Sequence, residues 1–481
     1  MHGRARLPGE VTAVVLLLGV VLAAGCARAN VAELRSMSPS GVACAVPIRE
    51  QELLVGVALS GGGSRAALFG AAGLEALAGV RTRAGASVLE RVAFVSSVSG
   101  GSIAGGYYTL NKPPHEVPVL EPDGTLSPAY REFFDRSRSL LSQNFESRMI
   151  RRQFTSFRWL NSFLFARSLG EVLRDRLLGS ATLLDLSRRQ ARGDTPGLIV
   201  NTTLYNNGRR LALTTLSSDE FRYDLISQLQ ASSAQRGHVI NISPALATGW
   251  DALMPMTLPD LGADPCPLPL AGAVTGSASF PPIIGPITLR VAGEETYWHA
   301  GDGGLYENQG VESLVFLFLK QLQEGRARRA LVIAFDSSFP FSVGDRRLSR
   351  RSKPFSLFTF DFSRVPSIME ERATTYRGLF FRTLQMDGVL PGTDAFRLVL
   401  LRHTDAKWRE DLSDLPAACR TDSAAPTSAM AVVQRLAEIP TRLRVASLCD
   451  RELLTLAAAK VVAQQREAIL GFVDQVATAA P

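Results

Sequence analysis

The fold is decided by Leu59-Ser60-Gly61-Gly62-Gly63-Ser64-Arg65 and by Ser96-Ser97-Val98-Ser99-Gly100-Gly101-Ser102, two turns made of small residues. Each turn follows an apolar run typical of a buried strand and precedes an alanine- and glycine-rich stretch that predicts a helix. The repeated order of strand, glycine turn and helix indicates an α/β sheet with crossover connections. We therefore predict an α/β fold whose functional site is built on both turns.

Ser99 lies where the second turn can present a nucleophile. A serine hydroxyl attacks a carbonyl only when the backbone exposes it and a base accepts its proton. The small residues around Ser99 permit the sharp strand-to-helix bend called a nucleophile elbow, although Ser97 stands where that motif usually has glycine. The alternative is a turn of small residues that only packs closely.

The first turn predicts an anion-binding site. Gly61, Gly62 and Gly63 have no Cβ to block a ligand, and the helix after them adds the positive end of its dipole. Backbone amides placed in this way stabilise the negative oxygen of an acyl-transfer intermediate. A phosphate-binding loop is the competing interpretation, but the sequence has neither the spacing of a P-loop nor its Gly-Lys-Ser/Thr.

A base for Ser99 has to come from elsewhere in the chain. Asp302 lies in His299-Ala300-Gly301-Asp302-Gly303-Gly304, where the neighbouring glycines leave its carboxylate free to face another residue. An aspartate with a pKa of about 3.9 is a weak base, so this role requires a desolvated site and a hydrogen bond to Ser99. An ordinary surface turn is the alternative for an Asp-Gly-Gly string.

These motifs, in this order, resemble those of the patatin-like phospholipase family. The resemblance covers roughly Leu53 to Phe335 and includes a fourth stretch of small residues and prolines, Thr275-Gly276-Ser277-Ala278-Ser279-Phe280-Pro281-Pro282. It implies a three-layer α/β/α sandwich with a mainly parallel central sheet. A helical insertion and a helical C-terminal region are expected in addition.

The resemblance also implies a role for each motif. It implies a Ser–Asp dyad without histidine, in which Ser99 attacks the ester carbonyl and Asp302 is the base. The amides of the Gly61–Gly63 turn are then the oxyanion hole. Arg65 matches the arginine that follows the glycines in the family, with a structural or an anion-orienting role.

The activity implied by the resemblance is lipid acyl hydrolysis of the phospholipase A or carboxylesterase type, through an acyl-enzyme intermediate and without a cofactor. Phospholipid or a related acyl ester is the expected substrate. Two alternatives stay open. One is a lipid-binding envelope protein with the same fold and no catalysis. The other is a Ser–His–Asp esterase that uses His299, although the histidine of α/β-hydrolases follows the acid in the chain.

The first 25 residues have the features of a signal peptide. Arg4 and Arg6 form a basic region, and Val11 to Leu22 form an apolar one that is too short for a stable membrane span. The next residues, Ala23-Ala24-Gly25-Cys26, resemble the lipobox of bacterial lipoproteins, with its large aliphatic residue one place early. We expect lipidation of Cys26, with an ordinary secretory signal as the alternative. The expected location is the cell envelope, anchored to a bacterial membrane, on the periplasmic or surface face of the outer membrane.

Four cysteines follow Cys26, an even number that suits an oxidising compartment. Cys419 and Cys449 are the first candidate pair, because they flank a predicted helical segment, and Cys44 with Cys266 is the second. Buried free thiols are the alternative. None of the four has a histidine at metal-ligand spacing, so we predict no zinc site and no other metal.

The formal net charge is +7, and arginine supplies nearly all of the positive charge. Because no basic stripe accompanies a recognition motif, we predict no nucleic-acid binding. Two stretches, 148–165 and 346–362, combine basic with aromatic residues. Such sequences suit an anionic membrane surface, with core packing as the commoner explanation.

The motifs divide the chain into four segments. Residues 1–25 are the signal peptide, and 26–50 are predicted to be an irregular tether. Residues 51–340 form the catalytic domain, with an insertion at about 111–190, and 341–481 form an extension packed on it. Strands are predicted at 53–59, 92–95, 198–204, 210–215, 289–291, 296–298, 330–335 and 396–401. Helices are predicted at 64–77, 100–110, 271–277, 311–322 and from about 428.

Overall fold

A single mixed sheet forms the centre of the protein. The computed structural model describes residues 31–156, 158, 164–239, 241, 243–281, 284–339, 343 and 364–476. Its strands are β1 (Val31–Leu34), β2 (Gln51–Leu59), β3 (Val92–Val98), β4 (Gly197–Leu204), β5 (Arg210–Leu213), β6 (Met256–Thr257), β7 (Ile287–Val291), β8 (Tyr297–Asp302), β9 (Ala327–Asp336) and β10 (Phe396–Arg402). Hydrogen-bonded neighbours follow the path β1-β7-β8-β4-β3-β2-β9-β10, in which β8 and β3 pair with successive parts of β4, and β5 pairs with both β4 and β6. All neighbours are parallel except β7/β8, β8/β4 and β4/β5.

Helices cover both faces of this sheet. They are α1 (Gly63–Ala78), α2 (Gly100–Asn111), α3 (Pro128–Leu141), α4 (Phe145–Thr155), α5 (Leu164–Leu173), α6 (Leu183–Ala191), α7 (Leu225–Gln235), α8 (Pro244–Leu253), α9 (Leu270–Ser277), α10 (Val311–Gln323), α11 (Arg364–Met386), α12 (Ala417–Arg420), α13 (Ala429–Glu438) and α14 (Leu448–Val473). The helices α1, α2 and α14 share one core, whereas α10 belongs to a second core. The architecture is therefore the predicted three-layer α/β/α sandwich.

The central strand β2 explains why both cores exist. Val55, Val57 and Leu59 belong to the core that contains α1 and α14. Leu54 and Ala58 belong to the core that contains α10. Successive side chains of a strand point to opposite faces, so a strand between two helical layers has to be apolar at every position. The continuous apolar run in the sequence predicted this placement correctly.

The strands β3 and β8 end at the same place in the sheet. The registers pair Val98 of β3 with Asn201 of β4, and Asp302 of β8 with Thr202 of β4. Since β5 pairs with β4 over these same positions, β3 and β8 must occupy the other edge of β4, one after the other. One of them runs parallel to β4 and the other antiparallel. Their carboxyl ends therefore meet, which brings Ser99 close to Asp302.

All eight predicted strands are present, as β2, β3, β4, β5, β7, β8, β9 and β10. The two glycine turns lead into α1 and α2 as predicted, and the later predicted helices correspond to α9, α10, α13 and α14. The insertion at 111–190 is helical, with α3 to α6 and a π-helical turn at Arg174–Leu178. The helix α11 was not predicted.

The N-terminal segment is more ordered than the sequence suggested. The strand β1 pairs in parallel with β7, with Val31 opposite Thr288, and Cys44 is bonded to Cys266. The strand at 31–34 departs from the irregular tether predicted over 26–50, whereas residues 37–50 contain no helix or strand. A strand of four residues contains too few positions to show a hydrophobic period.

The C-terminal extension completes the sheet. The strand β10 pairs with β9 along its whole length, from Phe396 opposite Ala330 to Arg402 opposite Asp336. Helix α14 packs on α1 in the same core. The extension therefore belongs to the same body as the glycine turns.

Both predicted disulfides, Cys44–Cys266 and Cys419–Cys449, are present. The signal peptide, Cys26 and the basic aromatic stretch 346–362 lie outside the described residues, as do positions 157 and 159–163 of the other such stretch. Within the described ranges, no helix combines the length and the apolar character that crossing a membrane requires.

Candidate active site

Ser99 occupies a sharp turn between β3 and α2. Its backbone has φ 49° and ψ −118°, a conformation of the kind that costs a residue other than glycine about 1–3 kcal/mol. Leu412 is the only other described residue besides glycine with a positive φ. Strain at this position is typical of a nucleophile elbow, in which the turn raises one side chain above the sheet. Ser99 thus has the local geometry that its sequence predicted.

Ser277, the last residue of α9, holds this strained turn. Its hydroxyl oxygen accepts the backbone N–H of Ser99 at 2.9 Å and donates to the carbonyl oxygen of Asn201 at 2.6 Å. The side-chain amide of Asn201 donates in turn to the carbonyl oxygen of Ser97 at 3.0 Å. The family resemblance singled out the stretch 275–282, but this supporting role of Ser277 was not predicted.

The two glycine turns pack directly against each other. A methyl group at Gly100 would overlap the carbonyl oxygen of Gly63, and one at Gly101 would overlap that of Leu59. The amide of Gly101 also donates to the carbonyl oxygen of Ser60 at 3.1 Å. Since only glycine permits such an approach, backbone contacts fix the elbow relative to the first turn.

Two amides of the first turn are available to an anion. Gly62 and Gly63 have φ 139° and 63°, line the same cavity as Ser99, and donate to no residue that the structure describes. They also lie at the positive end of α1. Gly61 differs, because its amide donates to the carbonyl oxygen of Asn308 at 2.8 Å and it does not line the cavity. The prediction of Gly61 as an oxyanion donor is therefore wrong, and this residue anchors the turn instead.

Asp302, the last residue of β8, is only 2% exposed. Its Oδ1 atom accepts the amide of Gly304 at 2.8 Å, and its backbone carbonyl oxygen accepts the hydroxyl of Thr203 at 2.8 Å. Burial raises the pKa of Asp302 to about 7, because the ionised carboxylate loses its water, while Gly304 and the Ser99 side chain lower the pKa by less. At neutral pH this carboxylate is a stronger proton acceptor than an ordinary aspartate.

The Ser99 hydroxyl approaches the Asp302 carboxyl group closely enough to stabilise its ionised form. The second carboxylate oxygen, Oδ2, is buried and accepts no hydrogen bond from the described residues. Contacts between a nucleophile and its base are often loose without substrate and tighten when it binds. The structure therefore brings positions 99 and 302 together, as the sequence required.

Ser99, Asp302, Gly62 and Gly63 share one cavity of about 300 Å³. Apolar side chains form much of its wall: Met149, Ile150, Phe280, Ile284, Phe339 and Leu443. An apolar cavity with a few converging polar groups is the usual form of a small-molecule site. The contributions of α4, of α11 and of residues 441–443 show that the insertion and the extension both complete it.

The C-terminal extension also covers the first turn. The amide of Ser64 donates to the carbonyl oxygen of Arg442 at 2.8 Å, and that carbonyl lies so close to Gly63 that a methyl group there would overlap it. Thr441 and Leu443 line the cavity on either side. The backbone of residues 441–443 is therefore a cover over the first turn.

The contacts of Arg65 support the structural one of its two predicted roles. The side chain is buried, and it donates to the carbonyl oxygens of Ile439 at 2.5 Å and Ser337 at 2.7 Å. It also donates to the hydroxyls of Ser337 and Thr441, both at 3.2 Å. Burial lowers the pKa of Arg65 to about 10, and the charge of Asp336 offsets part of this effect. Arg65 thus ties the first turn to the C-terminal part of the chain.

His299 does not line the cavity. It pairs with Thr288 across β7 and β8, and its Nδ1 atom lies 3.1 Å from the Thr288 hydroxyl. Because three positions separate His299 from Asp302 on one strand, the two side chains point to opposite faces. No other described histidine lines the cavity. The geometry does not support a Ser–His–Asp triad.

One group of potential metal ligands occurs in the described part of the chain. The ligand atoms of His115, Glu116 and Asp194 lie within 4.8 Å of one another. Asp194 already accepts one hydrogen bond from Arg192 at 2.8 Å, and its carboxylate lies 3.0 Å from Nδ1 of His115. Because none of these residues lines the cavity of Ser99, the group is separate from the candidate active site.

Asn308 joins the separate parts of the site and was not predicted. Besides accepting the Gly61 amide, it donates its own backbone amide to Glu370 at 3.2 Å and its side-chain amide to Ser338 at 2.8 Å. Glu370 is on α11, and burial raises its pKa to about 8. The only available signal for Asn308 was its position shortly after Asp302, whereas Glu370 lies beyond every motif.

A family model described as patatin-like phospholipase matches residues 57–315, just over half of the chain. The chain belongs to this family. The match includes both glycine turns, the elbow and the Asp302 motif, while α11 and the cover at 441–443 lie outside it. No curated protein sequence matches the chain.

Solved structures that match the chain include two of human GIVD cytosolic phospholipase A2. One is in complex with methyl gamma-linolenyl fluorophosphonate and terbium chloride, and it shares 14% identity with a TM-score of 0.40. The other has 13% identity and the same TM-score of 0.40. Both alignments cover 89% of this chain and 60% of the human chain, so this chain spans about three fifths of that protein.

Proposed function

We propose that this protein is a lipid acyl hydrolase that cleaves phospholipids or related acyl esters with a Ser99–Asp302 dyad. The observation that carries the proposal is a strained serine turn beside a buried carboxyl group of raised pKa. Both lie in one apolar cavity with two amides that donate to no described residue. Membership of the patatin-like phospholipase family supports the same class of reaction.

In the acylation step, Ser99 Oγ forms a bond to the ester carbonyl carbon while Asp302 takes the hydroxyl proton. The carbonyl oxygen becomes negatively charged and accepts hydrogen bonds from the amides of Gly62 and Gly63. Loss of one oxyanion donor in comparable enzymes costs about 3–4 kcal/mol of the activation barrier. The ester C–O bond then breaks, the alcohol leaves with the proton from Asp302, and Ser99 retains the acyl group.

Deacylation reverses these roles with water as the nucleophile. Asp302 accepts a proton from water while the water oxygen attacks the acyl carbon, and Gly62 and Gly63 again stabilise the oxyanion. When the bond to Ser99 Oγ breaks, the proton returns to that oxygen and the free acid leaves. The apolar side chains of the cavity suit the acyl portion of the substrate.

The decisive experiment compares the wild-type protein with Ser99→Ala. We expect the wild type to react with a fluorophosphonate probe and to release fatty acid from phospholipid or simple esters, and Ser99→Ala to do neither. Ser139→Ala, an exposed serine on α3, is the matched control. Unchanged labelling of Ser99→Ala would contradict the assignment, whereas an unreactive wild type that binds lipid would favour a lipid-binding envelope protein.

His299→Ala distinguishes the dyad from a histidine triad. Since His299 contacts Thr288 and not the cavity, we expect this variant to retain most of its esterase activity. Removal of a triad histidine lowers rates by orders of magnitude. A loss of that size in His299→Ala would replace the dyad mechanism with the triad.

We also propose that the protein acts outside the cytoplasm, attached to a bacterial membrane through a lipidated Cys26. The two disulfides support an oxidising compartment, and the lipobox-like sequence before Cys26 supports the anchor. Labelled palmitate should enter the wild-type protein in cells and not the Cys26→Ser variant. Equal incorporation by the two proteins would rule the anchor out.

A further inference from the structure

We propose that α4 and α11 together form an interfacial surface that seats the protein on an anionic lipid bilayer beside the substrate cavity. The apolar residues that define this interfacial surface are Ile150, Phe154, Met369, Tyr376, Leu379 and Phe380. The inference rests on the proposed function, since it supplies the route by which a bilayer lipid reaches Ser99. The side chains of this interfacial surface would contact lipid whether or not Cys26 is lipidated.

Helix α11 leaves an apolar side uncovered. Met369, Tyr376 and Leu379 are 67%, 61% and 60% exposed, and their spacing places them on one side of the helix. Another side of the same helix contributes Glu370 and Thr374 to the cavity wall. One helix therefore separates the cavity from a row of apolar side chains that no described residue buries.

Helix α4 lines the same cavity and also exposes apolar side chains. Ile150 and Phe154 are one turn apart and are 39% and 59% exposed. Ile150 and its neighbour Met149 also line the cavity. Ile150 is thus both partly exposed and part of the lining, so the apolar lining continues to the outer surface of the protein.

Basic side chains adjoin the apolar ones. Arg148, Arg151 and Arg176 line one depression beside α4, and none of them forms an ion pair with a described residue. On α11, Arg372 packs over the ring of Tyr376 at 5.5 Å. An anionic bilayer satisfies both groups at once, because acyl chains accept the apolar residues and phosphates accept the guanidinium groups.

Nearby acidic groups do not oppose this binding. Asp175 pairs with Arg152, and Glu146 lies 3.6 Å from Arg442. These two acids beside α4 are thereby partly neutralised, while Arg148 and Arg151 form no ion pair with a described residue. Glu371 of α11 lines the cavity. The charge balance favours a negatively charged lipid surface over a neutral one.

The test measures binding to vesicles with catalysis removed. Full-length Ser99→Ala protein is mixed with vesicles of phosphatidylcholine alone and of phosphatidylcholine with phosphatidylglycerol, and the bound fraction is measured by flotation. We expect stronger binding to the anionic vesicles, and about tenfold weaker binding when Met369→Glu and Leu379→Glu are added. Arg148→Gln with Arg151→Gln should weaken only the anionic binding, by about fivefold per residue, and reduce its salt dependence.

Met430→Glu is the matched control, because Met430 is 59% exposed on α13, a helix that does not line the cavity. It should bind vesicles as the parent protein does, and any lipid anchor is common to all the variants. The proposal fails if the α11 variants bind like the control, or if binding ignores the charge of the vesicles. It also fails if sedimentation shows a dimer that the α11 substitutions dissociate, since a second copy would then be the partner.

Activity on a water-soluble short-chain ester separates this inference from the proposed function. With Ser99 intact, Met369→Glu/Leu379→Glu should hydrolyse the soluble ester at the wild-type rate and bilayer phospholipid about tenfold more slowly. Equal losses on both substrates would overturn the interfacial surface. A wild-type protein inactive on every ester would overturn the hydrolase assignment. The vesicle-binding measurements, which need no activity, would still decide whether the interfacial surface exists.

Discussion

At the scale of single residues, the same burial that activates Asp302 also makes its ionised form unfavourable. Asp302 is 2% exposed, and one of its carboxylate oxygens accepts no hydrogen bond from the residues that the structure describes. Its pKa of about 7 lies above the 3.8 of an ordinary aspartate. Catalysis and stability should therefore respond in opposite directions as this group ionises.

The first prediction concerns the pH dependence of the rate. Because Asp302 must be ionised to accept the Ser99 proton, kcat/KM for a soluble ester should rise with pH and level off above about 7. Glu370 lines the same cavity with a pKa of about 8, so Glu370→Gln is the control. When rates are measured from about pH 5 to about pH 9, kcat/KM of this variant should still rise with a midpoint near pH 7. If this rise disappears in Glu370→Gln, the titrating group is Glu370 and not Asp302.

The second prediction concerns Asp302→Asn. The folded state holds the proton of Asp302 more tightly than the unfolded state, so its stabilising contribution is complete below about pH 4 and is lost as the pH rises through about 7. Asparagine is neutral at every pH. Urea denaturation at about pH 8 should show Asp302→Asn more stable than the wild type by about 2–4 kcal/mol, without esterase activity. The difference should nearly vanish at about pH 4, and an equal gain at both pH values would contradict this explanation.

At the scale of secondary structure, the site depends on the two glycine turns and on the ends of β2, β3 and β8. The sequence of small residues predicted both glycine turns and the elbow at Ser99, because glycine is required wherever two backbones approach so closely. It could not show that β3 and β8 share one edge of β4, since strand order depends on contacts distant in sequence. The hydrogen bond from the Gly61 amide to Asn308 also joins residues that are distant in the sequence, and the sequence could not predict it for that reason.

The third prediction tests the contact between the two turns. In Gly100→Ala the added methyl group meets the carbonyl oxygen of Gly63, so the turns must separate. We expect a loss of about 1–3 kcal/mol in unfolding free energy and a large loss of esterase activity. The control is Gly471→Ala in α14, where no described neighbour lies within 4 Å of the new methyl group. It should gain up to about 1 kcal/mol and keep full activity, and similar behaviour of the two variants would show that the turns tolerate movement.

At the scale of the whole molecule, the parts outside the family match are structural members of the site. The strand β10 extends the sheet, α11 forms a wall of the cavity, and residues 441–443 cover the first turn. The sequence predicted β10 and a packed extension, but not that α11 and residues 441–443 line the cavity. Motifs report local backbone requirements, whereas a wall built from distant segments depends on tertiary packing alone.

The fourth prediction compares the two disulfides. Cys44–Cys266 closes a loop with a sequence separation of 222, and Cys419–Cys449 one of 30. By the loop-entropy relation, their removal should cost about 5 and about 4 kcal/mol, respectively. Urea denaturation of the Cys44→Ala/Cys266→Ala and Cys419→Ala/Cys449→Ala proteins measures both losses. Neither pair lines the cavity, so both proteins should keep esterase activity while folded, and a greater loss from the second pair would contradict the entropic explanation.

The cover formed by residues 441–443 has a consequence for how the protein is made. A ribosome releases Ser99 and Asp302 well before it releases Arg442, whose carbonyl oxygen binds the amide of Ser64. A nascent chain that already contains both reactive groups therefore still lacks residues 441–443, which cover its first glycine turn. The wall of the cavity above that turn is therefore completed only after both reactive groups have been synthesised.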